Sequence, residues 1–566
     1  MKSTEQLFGE GVRRSKGKDA RRYNLLAARL IAELIKNSLG PCGLEKMFID
    51  VMGEVTVTKD GATLLRKIDV EHPAAKVIIE ASNSVDNEVG DGTTSVVVLA
   101  GALIEKAEEL LDKGIAPATI VEGYHTGLEI SIEFLKNIAQ SFSNSDKKIM
   151  ELLVNTCLKS KSIAYNDREE NKMAKLVVDA ISIVADLQNN KVSVDDIKIE
   201  EKTGNSSDIQ IVKGVVIDKT IDISEMPRML ENVKILLIDE ELDSERTKMD
   251  LEVHISSYGQ IQSYFDNESL KIKSKIQNII KCGAKAVFSC KGINLLAQSY
   301  LSRAGIISIK RLKENDLFWL EKGTGAKITR DLDNIPAECL GHADRIYEKI
   351  VGDDKMVFVE NNNNNPKSVT LLLRANSKRV LDEYHRSVLD AIFVLRDFII
   401  NPLVVAGGGS TEVFLAKKIR ERANAIPGRM QIVVQKFADA LEEIPLTIAR
   451  NAGMDVNDTL SQIRLKYSNF PNKKTSWYGI NAIERKISDM MSQGIVEPFI
   501  VKEQILETAT DVASLLIRVD DVLIAKPAMY THTHRDGTTH SHKGGQKKHD
   551  HFDKLGKLQR PFHHYY

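Results

Sequence analysis

Apolar positions recur at three- and four-residue spacing between Asp19 and Ser38. Ala27, Leu30, Ile31, Leu34 and Ile35 share one face there, which predicts a helix that Gly40 and Pro41 stop. Phe48 to Val51 and Val55 to Thr58 read as short strands turning at Gly53. A second strong helix is predicted over Thr93 to Asp112, ended at Gly114. The pattern then changes. Lys234 to Ile238, Ala286 to Ser289 and Ile306 to Ile309 are β-rich, and helical stretches at Ser274 to Lys281 and Asn294 to Arg303 alternate with them. That alternation predicts a separate α/β domain over about residues 214–369 with a parallel or mixed sheet, bounded by Asn361 to Asn365 and Pro366. Helical patterns return from Val380, and a last strand-like piece, Val522 to Ala525, precedes a polar tail opening at Pro527.

Length turns these segments into a domain count. At roughly 150 residues per domain, 566 residues suggest three or four domains. The apolar share of 42% and charged share of 28% fit an ordinary globular protein. With 78 basic against 79 acidic residues, a nucleic-acid partner for the whole chain is disfavoured, and 5% aromatics disfavour a base-stacking surface. The best apolar run, Val96 to Ile104, is too short for a membrane span, and the N-terminus has no apolar signal core, so a cytoplasmic protein with no membrane partner is expected. Cys42, Cys157, Cys282, Cys290 and Cys339 are scattered with no CxxC pair, which supports neither a disulfide framework nor a zinc ribbon. Eight of the thirteen histidines fall between His532 and His564.

Three glycine-rich turns carry candidate chemistry: Gly40-Pro41, Gly90-Asp91-Gly92-Thr93-Thr94 and Gly407-Gly408-Gly409. Glycine admits a phosphate close to the backbone, and a helix N-terminus offers free N–H donors. Asp91 and two hydroxyls at a helix start suit a magnesium–phosphate group. Taken alone, the same residues make a tight turn with Thr93 as N-cap, and Asp60-Gly61 a plain turn. Asp390 sits in a helical stretch that is apolar nearly all round, so it needs a partner or a task. Arg386, one turn back, is the local partner. No Walker A, GxGxxG or HExxH occurs, so any nucleotide site uses another architecture.

Several motifs occur in fixed order: LGPCGLEKM from Leu39, TKDGATLL from Thr58, DVEHPAAK from Asp69, EVGDGTTSVVVLAG from Glu88, AGGGSTE from Ala406, KFADALEEIP from Lys436, NAGMD from Asn451, YGIN from Tyr478, VEP from Val496 and RVDD from Arg518. Over about Leu7 to Ile524 the chain resembles a group II chaperonin subunit of the archaeal thermosome type. The resemblance implies an α+β multidomain fold. A mostly α-helical equatorial ATP-binding domain would comprise residues 1–145 and 404–527. An α/β intermediate hinge domain would comprise 146–213 and 370–403. An α/β apical domain, 214–369, would bind clients and carry a helical protrusion around Asp243 to Glu268, and a disordered tail would fill 528–566. It further implies ATP hydrolysis with Mg²⁺, folding of non-native protein clients, and a homo- or hetero-oligomer of two stacked rings with eight or nine subunits each.

The resemblance also assigns residues. Leu39, Gly40 and Pro41 would wrap the phosphates. Asp91 would hold Mg²⁺, with Gly92, Thr93, Thr94 and Ser95 on the phosphate side. Asp60 and Asp390 would position and polarise the attacking water, and Lys161 would sense the γ-phosphate. Gly408 would border the ribose, Glu497 would bond its hydroxyls, and Gly479 and Asn481 would line the adenine pocket. Asp390 would come from a different domain than Asp60 and Asp91, which would tie hydrolysis to domain closure. In the protrusion, Met249, Leu251, Val253, Ile255, Ile261, Tyr264 and Phe265 would either capture clients or pack the lid.

The pattern departs from the family in places. Cys42 stands where lysine is usual in LGPKG, Lys59 replaces asparagine, Ala406 a proline, Ala375 a glycine and Leu389 a histidine. These changes keep open a structural ring subunit with weak ATPase. The tail pairs His532/His534, His540/His542 and His549/His551 suit a transition metal when extended, and equally a solvated tail lining the ring cavity.

Overall fold

The computed structural model describes residues 13–161, 167–221, 223–243, 258–361, 368–469 and 477–524, and four short strands beyond. Among them three main hydrophobic cores stand apart. The first takes residues from both ends of the chain, Leu25 to Ile138 and Val405 to Ile517. At its centre lies the helix Thr93–Asp112, whose run Val96 to Ile104 is buried on every side. Gly92 and Gly114, both with positive φ, bracket that helix as its sequence implies.

The second core, Val215 to Val359, surrounds a seven-stranded mixed sheet. Ile307–Ile309, Ala286–Ser289 and Met229–Ile238 run parallel; Gly341–Val351, Asp354–Glu360 and Gly214–Ile217 extend the sheet antiparallel. The predicted helix Ser274 to Lys281 is the end of a longer one, Tyr258–Cys282, which contains Ile261, Tyr264 and Phe265. Met249, Leu251, Val253 and Ile255 of the expected protrusion lie outside the described residues.

The third core is again discontinuous, combining Met150 to Ile209 with Val369 to Ile399 and adding Val404 and Val496. It packs the helices Lys147–Lys159, Asp167–Val184 and Lys378–Ile400 on the buried strand Val369–Ala375, which runs parallel to Ile197–Thr203. In the tail, expected to lack structure, Met529–Thr533 pairs with Thr539–Lys543, with His532 opposite His540; alternating threonines give these pieces some strand propensity. All five cysteines are free, and among the described residues no helix is long and apolar enough to cross a membrane.

Candidate nucleotide site

The glycine turns converge on one cavity of about 370 Å³. One wall is the loop Leu39-Gly40-Pro41, which follows the helix Lys18–Lys36. Asn451 fixes that loop by donating to the carbonyls of Lys36 and Leu39 at 3.1 and 2.9 Å. The facing wall is Asp91, Gly92, Thr93, Thr94 and Ser95. Gly92 is the N-cap of its helix, with φ 83° and no side-chain cap, so the first N–H groups of the helix keep no side-chain acceptor. Thr93 is therefore not the cap: its hydroxyl donates to Asp60 Oδ1 at 3.0 Å.

A three-stranded sheet builds the third wall. Leu403–Ala406 lies between Val496–Pro498 and Gln140–Ser141, and its register sets Val405 opposite Glu497. The Gly407-Gly408-Gly409 turn and Glu497 thus share one edge, and a Cβ at Gly407 would stand 2.8 Å from Glu497 Oε1. Gly408 and Asn481 line the cavity. Asn481 is engaged with its own turn, donating to Glu484 Oε2 at 2.9 Å. Gly479 does not line it. It packs behind the glycine turn, where a Cβ would meet Met490 at 2.7 Å and the carbonyl oxygen of Gly408 at 2.9 Å.

The charged floor joins two cores. Asp60 is the N-cap of the helix Gly61–Lys67 rather than a simple turn residue, and accepts from the Thr63 N–H at 2.8 Å. Asp390 projects from Lys378–Ile400 and is 7% exposed. Lys161, just beyond Lys147–Lys159, places Nζ 2.5 Å from Asp390 Oδ2 and 3.8 Å from Asp60 Oδ1. Arg386, the partner that spacing offered, pairs with Glu383 at 2.5 Å instead. The helix carrying Asp390 also leans on the GDG turn, where a Cβ at Gly90 would overlap Phe393 at 2.5 Å.

The two carboxylates are pushed apart in pKa. Burial raises Asp390 to about 8, against the pull of Lys161. Burial also opposes ionisation of Asp60, but Lys161 and the hydrogen bonds from Thr63 and Thr93 overcome it and hold Asp60 below the ordinary carboxylate value. Lys161 loses favour for its charge through burial and regains more from Asp390, Asp60 and Asp91, so it stays firmly protonated. Opposite environments for neighbouring carboxylates separate a permanent anion from a proton acceptor.

Sequence reasoning missed Lys502. It lies in the helix Phe499–Arg518 and lines the cavity, bonded to Glu412 Oε1 at 2.7 Å and Glu497 Oε2 at 2.8 Å. Spacing along its own helix gave no signal, because its acids come from other elements, Glu412 on Ser410–Ala423 and Glu497 on Val496–Pro498. The buried oxygens Ser38 Oγ and Asn155 Oδ1 also face onto this region without a hydrogen-bond partner. Glycine-lined walls, an uncapped helix N-terminus, the Asp91 carboxylate and these unpartnered oxygens together fit a magnesium nucleotide. Among the described residues no group of three His, Cys, Asp or Glu side chains that could hold a metal ion occurs.

The family model of the TCP-1/cpn60 chaperonin family matches residues 31–527. The chain belongs to the TCP-1/cpn60 chaperonin family. It is 41% identical over 523 residues to thermosome subunit beta of Archaeoglobus fulgidus, covering 92% of this chain and 94% of that one. It is 40% identical over 536 residues to thermosome subunit alpha of Sulfolobus acidocaldarius, with 93% and 95% covered, and 39% identical over 522 residues to a thermosome subunit of Pyrococcus horikoshii, with 92% and 94% covered. The group II chaperonin resemblance drawn from the motifs therefore stands.

Proposed function

We propose that this chaperonin subunit hydrolyses ATP in the cavity between its first and third cores and uses that reaction to enclose and fold non-native proteins in a double ring in the cytoplasm. The observation that carries the reading is the bridge by Lys161 between Asp60 and Asp390, which belong to separate cores. In this reading the first core is the equatorial domain, the third the intermediate hinge and the second the apical client-binding domain. Rings would hold eight or nine subunits.

The residues divide the work as phosphoryl transfer requires, by positioning and charge neutralisation. Pro41, Gly40 and the Gly92–Ser95 backbone hold the phosphates. Asp91 holds Mg²⁺, which supplies charge neutralisation to the phosphate oxygens when bound. Asp60 orients the attacking water, and Asp390, with its raised pKa, accepts its proton. Lys161 holds both carboxylates in place and senses the terminal phosphate. Glu497 accepts from the ribose hydroxyls while Lys502 steadies it. Ile444, Ile448 and Ile480 offer an apolar seat to the base. Because Asp390 rides on the helix leaning against the GDG turn, tilting that helix breaks the catalytic set, which couples nucleotide state to ring shape.

Electron microscopy of the purified full chain, with and without ATP, tests the reading. It expects stacked double rings whose outer ends close with ATP and which suppress aggregation of a denatured client. A monomer, or rings unchanged by ATP, would overturn it.

A further inference from the structure

Among the described residues four lysines are buried: Lys59, Lys161, Lys198 and Lys502. Three of them each meet two carboxylates. Lys161 has Asp60 and Asp390, Lys198 has Glu200 and Asp316, and Lys502 has Glu412 and Glu497. Lys59 is the exception. It is 6% exposed, and among the described residues no carboxylate lies within ion-pair distance of it. Its one acceptor there is the Pro41 carbonyl oxygen, 2.9 Å from Nζ. An ammonium buried with no carboxylate in direct contact is costly, so such a group is completed by an anion or gives up its proton.

The position of Lys59 says which anion. Its side chain lines the same cavity as the Gly92–Ser95 helix start, and it touches the loop that carries Gly40 and Pro41. Asp60, the next residue, faces Lys161. Cys42 gives that loop no cation: its thiol donates to the Ala482 carbonyl at 3.4 Å. Burial lowers the pKa of Lys59 by more than the nearby Cys42, Glu45 and Glu383 raise it, Lys161 lowers it further, and a bound polyanion would oppose the lowering.

We infer that Lys59 is a phosphate-binding cation of the nucleotide site, reaching across from the strand Val55–Thr58 to supply the charge that the Leu39–Cys42 loop lacks. The inference rests on the nucleotide reading above. Lys59 adds a second ammonium beside Lys161, and its two remaining N–H donors turn to a phosphate oxygen of ATP. The charge, not the tie to Pro41, is what the reaction uses.

The test uses the full-length assembled protein. Lys59→Gln and Lys59→Met should both raise the KM for ATP about tenfold to a hundredfold, as losing a charged hydrogen bond does. Adenosine binding, by calorimetry, should not change. In the wild type, amine acetylation of Lys59 read by mass spectrometry should fall with ATP and with inorganic tripolyphosphate but not with adenosine. An unchanged KM, an equal loss of adenosine binding, or equal acetylation with and without tripolyphosphate would overturn the inference. A wild type without ATP turnover would instead count against the nucleotide reading, since tripolyphosphate protection is read independently of turnover.

Discussion

The ammonium of Lys161 lies 2.5 Å from the carboxylate of Asp390, although 229 residues separate them. Asp390 comes from a helix of the third core and Lys161 from just beyond another, and they meet at the wall where Asp60 of the first core arrives. Three buried ionisable groups thus share one contact between two cores. Their mutual dependence sets the following expectations.

Lys161→Met should leave Asp60 and Asp390 facing each other without a cation. Removing one member of a buried ion pair costs about 3–5 kcal/mol, because the remaining charge stays buried and unpaired. Chemical unfolding of the variant should show a loss in that range. A loss of about 1 kcal/mol or less, typical of an exposed pair, would contradict the buried bridge.

The pKa of Asp390 gives a signed pH dependence. Its folded value is raised to about 8, so the carboxyl is largely protonated below that pH and ionised above it. A proton acceptor must be ionised to act. The kcat/KM for ATP should therefore rise as pH passes upward through about 8, and the rise should vanish from the residual activity of Asp390→Asn. A profile that falls over the same interval would contradict the assignment.

Gly92→Ala tests the phosphate wall. At φ 83° a side chain is strained, and its Cβ would stand 2.6 Å from Ile505 Cδ1. The helix start must shift, carrying the Thr93 and Thr94 N–H groups away from the cavity. ATP affinity should fall at least about tenfold, the loss expected for a charge-assisted hydrogen bond, while the helical content by circular dichroism is kept. Unchanged affinity would show that these N–H groups do not hold phosphate.

Lys502→Met should act on the ribose end. Without the ammonium, Glu497, already raised in pKa by burial, becomes harder to ionise and a weaker acceptor. The preference for ATP over 2′-deoxy-ATP should shrink, read as the ratio of their KM values. A ratio equal to that of the wild type would place Glu497 away from the sugar.

Local elements were legible in the sequence wherever one segment carried its own signals. Thr93–Asp112 has a glycine at each end and an apolar run between, and Ala286–Ser289 is a short, fully buried β-rich run; both match the expected bounds. The predicted helix over Asp19 to Ser38 is found at Lys18–Lys36, since a polar helix end frays into its cap. Pairings set by distant segments were not legible. Spacing gave Asp390 a neighbour at Arg386, whereas the fold gave it Lys161. Gly479 looked like part of the base pocket, but its lack of a side chain serves close packing against the Gly407-Gly408 backbone. Spacing did not show that Lys502 would also pair with Glu412, 90 residues away, or that among the described residues Lys59 would meet no carboxylate within ion-pair distance.

The central claim is that Asp390 supplies the chemical step at a site assembled from two cores. The direct measurement is steady-state phosphate release by Asp390→Ala in the assembled full-length protein, beside nucleotide binding by calorimetry. The account predicts turnover lower by about 10²–10⁴-fold, the worth of a positioned general base, with ATP still bound. Turnover equal to the wild type would contradict it.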